Sequence, residues 1–511
     1  MALPPATASP IALRPHPHLY EINTWVWLEQ LSAKHGRAIQ LGDVSDAEWD
    51  AIAKRGFDVV WLMGIWKRSP DSRRITLEDP ANFQRYDRAL PGWKLDDVIG
   101  SPYAVTAYVP DPRIGNWEGL DRARQKLRDR GIALFLDFVG NHTALDHPWT
   151  QEHPEFYVQG TQQDFRADPG SFYVAQTPKG TFFLALGKDP YFPPWKDVAQ
   201  LNHFSPQMRA AQIADLQTIA SHCDGVRCDM AMLLQPAIIQ RTWGDRSRPA
   251  DGSPPKDNPF WPEAIAAIKR RHPGFTFAAE VYWDMEWELQ QAGFDYTYDK
   301  RLYDRLVEGA ATPVREHLMA DPGFQERSLR FIENHDEPRA AATFSPEMHR
   351  AAATIALMAR GMRLVHDGQT DGRKVHVSMH LGRRPAETPD IDLRAFYERL
   401  FQAMRRPEAR DGEWRLWKCR PAWDGNPTAA QFVVASWQLG DQRLLMAVNY
   451  APNQGQCYVT VDVPGFAGRE IRLADLMGGP SYQRRGDDLA GKGLYLDMPA
   501  WGHQLFALSV V

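Results

Sequence analysis

The hydrophobic positions along the chain fall into short, nearly unbroken runs separated by amphipathic stretches. "FDVVWLM" (57–63) is one run, and "GIALFLDFV" (131–139) is another, preceded by the helix-patterned "WEGLDRARQKLRDR". "CDGVRCDMAM" follows "PQMRAAQIADLQTIASH", and "FTFAAEVYW" (275–283) follows "WPEAIAAIKRRHP". "SLRFIENHD" (328–336) and "MRLVHDG" (362–368) close the series, the second after "MHRAAATIALMAR". "LYEINTW" and "GFDYTYD" (293–299) bring the runs to eight. Apolar runs that do not alternate belong to strands covered on both faces, and helices between them are the crossovers a parallel sheet needs. Eight such units over about 400 residues predict an α/β fold, a (β/α)8 TIM barrel with insertions. A doubly wound open sheet is the alternative, but no glycine-rich phosphate loop follows the first strand.

The rhythm breaks in three places. Residues 142–202 are rich in His, Pro, Gln and aromatic residues and carry no long helical period, which predicts an insertion subdomain after strand 3. "GDRSRPADGSPPKDNP" (244–259) reads as a long loop. From about residue 410, "QFVVASWQL", "QRLLMAVNY", "CYVTVDV" and "HQLFALSVV" are β runs bounded by Gly, Asn and Pro, which predicts an antiparallel β domain. The expected domains are therefore a barrel over 1–141 and 203–405, an insertion over 142–202, and a C-terminal β-sandwich over 406–511.

Composition adds little to the fold but narrows the partners. The chain has 511 residues, a net charge of −5 and no Lys/Arg run, so no nucleic-acid partner is expected. Eighteen Trp and sixteen Tyr supply flat apolar faces with a polar edge, which suit sugar rings as well as cores. No run approaches about 18 apolar residues, so no membrane span is expected. The opening "MALPPATASPIALRPHPHLYEIN" lacks a signal-peptide apolar region, and the four cysteines have no zinc-like spacing. A cytoplasmic protein is the expectation; its oligomeric state is not legible.

Chemistry concentrates at the ends of the predicted strands. Asp137, Asn141 and His142 end one; Arg227 and Asp229 end the next; Glu280 ends "FTFAAE"; Asn334, His335 and Asp336 end "RFIENHD". A parallel barrel gathers the C-terminal ends of its strands around one pocket. Glu280 and Asp336 are 56 residues apart, about two βα units, so one strand should separate them. Carboxylates on neighbouring strands suit retaining glycosidic cleavage, in which one attacks the anomeric carbon and another protonates the leaving oxygen. Arg227 lies two residues before Asp229 on the same strand face and is expected to keep it ionised. Glu280, between Ala278, Ala279, Val281, Tyr282 and Trp283, is expected to carry a raised pKa, as a general acid needs. Asp336 is expected to grip ring hydroxyls. Cys228 points to the opposite side, as packing.

"DFVGNH", "GVRCDMAM", "AEVYW" and "FIENHD" resemble, in order and spacing, four strand-end segments of the α-amylase superfamily, glycoside hydrolase family 13. "YEIN", "FDVVWLMGIW" and "AQLN" (199–202) are similar to further stretches, and the resemblance spans about residues 18–370. It implies Asp229 as nucleophile, Glu280 as general acid/base and Asp336 as the third, transition-state-binding carboxylate. It also implies that His142 and His335 contact sugar hydroxyls, that Arg227 lies under the nucleophile, and that Tyr103 is an aromatic platform. Three positions depart from the family: Ala104 replaces an Asp, Met230–Met232 replace a Lys/His segment on the acceptor side, and Gly368-Gln369-Thr370 replaces Gly-Gln-Glu. These departures argue against an ordinary α-amylase. Asn141 matches a calcium ligand of some relatives, but a structural role is expected; no cofactor is required and no metal residue is assigned.

The sequence thus predicts a carbohydrate-active enzyme, a retaining α-glycosidase acting on a small or oligomeric α-glucoside. The alternative is a transglycosylase or isomerase that uses the same covalent intermediate with a non-water acceptor. A non-catalytic barrel would have lost a carboxylate, and none is lost. His147, His153 and His203 are expected to be surface or core residues. Trp195 is expected either to pack the insertion or to stack on a sugar. The basic, histidine-bearing 370–392 is read as solvated surface rather than a face toward an acidic or phosphorylated sugar.

Overall fold

The computed structural model describes residues 10–463 and 465–511. The first nine residues of the opening stretch read for a leader lie outside the described residues. Eight parallel strands close into a barrel, each beside the next in chain order and the last beside the first. They are β1 (His18–Asn23), β2 (Val59–Met63), β3 (Ala133–Val139), β4 (Gly225–Asp229), β5 (Thr276–Ala279), β6 (Tyr296–Tyr298), β7 (Ser328–Arg330) and β8 (Met362–His366). Every residue of β2, β3, β4 and β8 is buried, the expected result for strands sealed by helices outside and by one another's side chains inside. The predicted crossover helices form at Trp117–Arg128, Pro206–His222, Phe260–Lys269 and Pro346–Met358. Ser205 caps the second and Ser345 the fourth, each with proline at the first helical turn, where its missing N–H costs nothing.

Two excursions rise from the C-terminal ends of the strands. The one after β3 is built on a three-stranded antiparallel sheet (Gln159–Gly160, Gly180–Ala185, Phe172–Thr177) and a strand pair, His142–Ala144 with Val198–Gln200. The one after β2 was not singled out in the sequence. It pairs Trp66–Arg68 with Val105–Pro110 and carries helices Pro70–Glu78 and Pro80–Ala89. Its signals were present: Ser69-Pro70 and Asp79-Pro80 are cap-and-first-turn pairs, and both caps accept backbone N–H groups. Ser69 and Ser72 donate to Asp146 and Asp197, both at 2.6 Å, so the two excursions stand against each other as one wall.

Beyond the last barrel helices, a six-stranded antiparallel sheet faces a three-stranded one. The central strands Phe432–Leu439 and Gln442–Asn449 read as nearly continuous apolar runs because both faces are covered. Val434, Leu445 and Ala447 pack toward the second sheet, while Val433, Trp437 and Met446 join the barrel core. Trp437 Nε1 donates to the Met358 carbonyl at 2.9 Å, tying this sheet to a barrel helix.

Candidate active site

The register of β3, β4 and β5 decides which side chains meet. Asp137 lies beside Arg227, and Arg227 beside Ala278. The ladder continues past β5: Glu280 N–H donates to the Cys228 carbonyl and Ala231 N–H to the Glu280 carbonyl, both at 3.0 Å. Since side chains alternate, Arg227, Asp229 and Glu280 all face the same side. β6 then separates Glu280 from the segment holding Asp336, and Tyr298 on it fills the gap: its Oη accepts from Arg227 Nε at 3.2 Å.

Arg227 is the hub. Its Nη1 donates to Asp229 Oδ1 at 2.7 Å, while Nη2 stands 2.8 Å from Glu280 Oε2 and 3.8 Å from Asp336 Oδ2. The rings of Trp61, Tyr103 and Tyr298 surround its guanidinium at 5.2–5.6 Å, a cation–π setting that excludes water. Met230, next along the chain, adopts a left-handed backbone (φ 41°) and delivers its N–H to Glu280 Oε2 at 2.7 Å. A methionine in this region costs energy, which the surrounding packing has to offset. On the other side Tyr282 Oη donates to Glu280 Oε1 at 2.8 Å.

His335 organises the opposite wall. Glu21 Oε1 lies 2.6 Å from its Nδ1; Tyr103 Oη and Asp336 Oδ2 lie 2.6 and 3.1 Å from its Nε2. Glu21, fully buried on β1, went unread in the sequence beyond its place in "YEIN". An apolar-flanked carboxylate two positions inside a barrel strand was the available signal. His142 sits on the excursion after β3, its ring 5.3 Å from that of Trp195. All seven residues expected in the site are thus gathered at one end of the barrel. Tyr103, His142, Asp229, Glu280, Asp336 and Trp195 line a single cavity of about 670 Å³, closed on one flank by the helices of the excursion after β2.

Electrostatics separate the three carboxyls. Burial pushes Glu280 up to about 7; Asp229 and Asp336 add to the push and Arg227 opposes it. Arg227 was expected to keep Asp229 ionised; it does pull the carboxyl down, but burial outweighs that pull and raises Asp229 above the usual carboxylate range. In Asp336 burial is outweighed by His335 and then Arg227, and the group is held near 2. The same contact, with Glu21, overcomes burial at His335 and raises its imidazolium to about 10. Burial lowers His142 to about 4, leaving a neutral ring that both donates and accepts.

Neighbouring candidates fall outside the cluster. Asn141 and Gln200 pair their carboxamides, Asn141 Oδ1 accepting at 2.9 Å and its Nδ2 donating at 3.2 Å. That oxygen faces a donor, and among the described residues no group of three or more His, Cys, Asp or Glu side chains is placed to hold a metal ion. Asp137 is a support: Trp61 Nε1 and Gly64 N–H donate to its carboxylate. His147 caps the Trp149 N–H, His153 pairs with Glu155, and His203 lies against Gln212. The loop 370–392 is in part the solvated surface expected, with Lys374 and His376 exposed, but Arg373 and Arg384 are half-buried beside the space behind His335, and Met379 and His380 line the substrate cavity.

Known proteins resemble this chain in sequence family and in fold. The alpha-amylase catalytic-domain family model matches residues 47–407. Alpha-amylase 3 of Dictyoglomus thermophilum is 22% identical over 321 residues, covering 58% of each chain. An alpha-1,4-glucan:maltose-1-phosphate maltosyltransferase of Rhodospirillum rubrum is 25% identical over 290 residues, 55% of this chain and 35% of that one. The chain thus spans between about a third and three-fifths of the length of these curated relatives. The crystal structure of the maltogenic alpha-amylase AmyB of Thermotoga neapolitana superposes with a TM-score of 0.66 at 18% identity, over 97% of this chain and 99% of that one, a likeness of fold. Among the described residues no helix is long and apolar enough to cross a membrane.

Proposed function

The chain belongs to the alpha-amylase catalytic-domain family, and from that premise we propose that it is a retaining enzyme for α-glucosidic bonds of a small or oligomeric α-glucoside. The observation that carries this reading is the grip of one guanidinium on two carboxyls, Asp229 at 2.7 Å and Glu280 at 2.8 Å. Groups held on adjacent nitrogens of one fork stay close, which supports the roughly 5 Å separation of retaining enzymes over the wider gap that leaves room for an inverting water.

In this reading Asp229 Oδ1 is held by Arg227 while Oδ2 attacks C1 of the sugar, and the C1–O bond to the leaving group breaks. Glu280 supplies the proton. Its Oε2 accepts from Met230 N–H and is ion-paired with Arg227 Nη2, whereas Oε1 meets only the neutral Tyr282 hydroxyl, so the proton belongs on Oε1. A value near 7 lets the same group give that proton and later take one back from the incoming hydroxyl. Asp336, ionised, and neutral His142 hold ring hydroxyls, and the Tyr103 face carries the ring. Water as second nucleophile makes the enzyme an α-glycosidase; a sugar hydroxyl makes it a transglycosylase or isomerase. The second outcome is favoured by Met230, which occupies the start of the acceptor side and leaves it less polar than a Lys/His segment would.

The test is product analysis on α-glucosyl fluoride, maltose, trehalose and sucrose, followed by proton NMR from the first minutes. An α-anomeric first product supports the reading, and a β-anomeric one sinks it. Products carrying a second sugar rather than water identify the transferase form.

A further inference from the structure

All four cysteines carry free thiols, and two of them are neighbours in the C-terminal sheets. Cys419 opens the three-residue strand Cys419–Pro421, which forms one edge of the three-stranded sheet. The antiparallel strand beside it, Gly455–Val459, sets Val459 opposite Cys419 and Cys457 opposite Pro421. Residues two apart on a strand share a face, so Cys419 and Cys457 are diagonal neighbours on the same side of the sheet. That side is the inner one. Cys457 is buried in the cluster of Val459, Leu496 and Phe506, and Cys419 packs against the same cluster. Their thiols are hydrogen-bonded to each other.

The two sulfurs differ in access and in charge. Cys419 is half-buried, because an edge strand leaves one flank open to solvent. The hydrogen bond from Cys457 lowers the Cys419 pKa, burial opposes, and the Arg315 guanidinium lowers it further. The same bond and burial push Cys457 up. A reachable sulfur with thiolate character beside a protected one is the arrangement of an attacking and a resolving cysteine. Cys223 and Cys228 are fully buried in the barrel core and have no such access. Diagonal positions lie near the upper limit of the separation a disulfide spans. The edge strand can supply the adjustment: it is three residues long, is paired on one side only and leads into a loop with an exposed Trp423.

We propose that Cys419 and Cys457 form a thiol pair that reacts with a small-molecule disulfide and closes into a bond fastening the edge strand to its neighbour. The Cys419 thiolate attacks one sulfur of the external disulfide; a mixed disulfide forms and one thiolate leaves. The Cys457 sulfur then attacks the Cys419 sulfur, the mixed disulfide breaks and a second thiolate leaves. The protons of the two cysteines pass to the two released thiols. Two protein thiols are oxidised and one external disulfide is reduced. Neither cysteine lines the substrate cavity, so the proposal does not depend on which glycosyl reaction the enzyme performs.

The experiment treats the folded full chain with oxidised glutathione, stops exchange with acid, and counts thiols after denaturation and alkylation. Wild-type protein should keep two of its four thiols. Tryptic peptides 419–443 and 444–469 should appear joined, and separate on reduction. The joined protein should melt about 3 °C higher, because the bond closes a long stretch of chain. Cys457→Ser should stop with one glutathione held on Cys419, and Cys419→Ser should keep its three thiols. Four thiols remaining in the treated wild type overturn the proposal, as does a link through Cys223 or Cys228. Glutathione retained on wild-type Cys419 without closure also overturns it. A joined protein that melts no higher than the reduced one overturns the fastening. The wild-type arm is decisive even where a variant folds poorly.

Discussion

The barrel and the C-terminal sheets are both well packed, yet they bury polar groups on opposite terms. At the C-terminal mouth of the barrel, Glu21, Asp137, Arg227, Asp229, Glu280 and His335 are all at or below 5% exposure. Beyond Arg410 no Asp, Glu or His is buried among the described residues; the core there is Phe432, Val434, Leu445, Leu496, Phe506 and their kind. Removing charge from water is expensive unless it is paired, so the barrel carries a cost that the sheets, with Arg443 as their one buried charged side chain among the described residues, largely avoid. The difference teaches where to look for chemistry: in the region that keeps its charges against their solvation, each in contact with another.

The largest effect should separate the two regions outright. Asp229→Asn removes the proposed attacking group and should lower turnover of α-glucosyl fluoride by at least about 10⁴-fold. Circular dichroism should show an unchanged fold; turnover within tenfold of wild type would refute the nucleophile assignment. No single substitution in the C-terminal sheets should approach that loss.

The pH response follows from the same charges. Activity should fall as pH rises through about 7, where Glu280 loses its proton. Stability moves in the same sense. His335 is held near 10 against an ordinary 6.5, so its contribution is whole below 6.5 and fades as pH climbs toward 10. The folded state also keeps the Glu280 proton that the unfolded chain releases above 4.5, so stability declines between 4.5 and 7. Melting curves across pH should show His335→Gln losing less than wild type between 6.5 and 10; parallel curves would remove His335 from the account.

A smaller effect should come from Tyr282→Phe. It deletes the hydroxyl on Glu280 Oε1, a hydrogen bond of about 1 kcal/mol, and should reduce kcat several-fold. Because that bond favours the carboxylate, the alkaline limb of the rate profile should shift upward; a limb that stays in place would make Tyr282 a packing residue only. Smallest in catalysis is Leu496→Ala in the C-terminal core. It should cost about 2–5 kcal/mol of stability in denaturant titrations and leave kcat within twofold. A large loss of kcat there would mean that the two regions are not separable.

Much of this was legible in one dimension. The eight apolar runs marked eight barrel strands because burial on both faces removes alternation. The excursion after β3 stood out by composition. That after β2 did not, because its helices are short and polar and were carried only by the Ser-Pro and Asp-Pro pairs. Strand-end polarity pointed to Arg227, Asp229, Glu280 and Asp336, since period-two geometry sets which residues of a strand share a face.

What the sequence determined by itself, then, was local: which segments are strands, which residue closes each, and which carboxyl has apolar neighbours. The closed barrel decided the rest. Only closure brings Glu21 of the first strand within 2.6 Å of His335, 314 residues later, and only there does that contact raise the imidazolium. Only packing in three dimensions sets burial against Arg227 at Asp229, and only the folded loop after β8 turns a basic stretch into the wall behind His335. The reason is physical: alternation and propensity act between near neighbours along the chain, whereas desolvation and Coulomb interactions act across distances that exist only once the chain is folded.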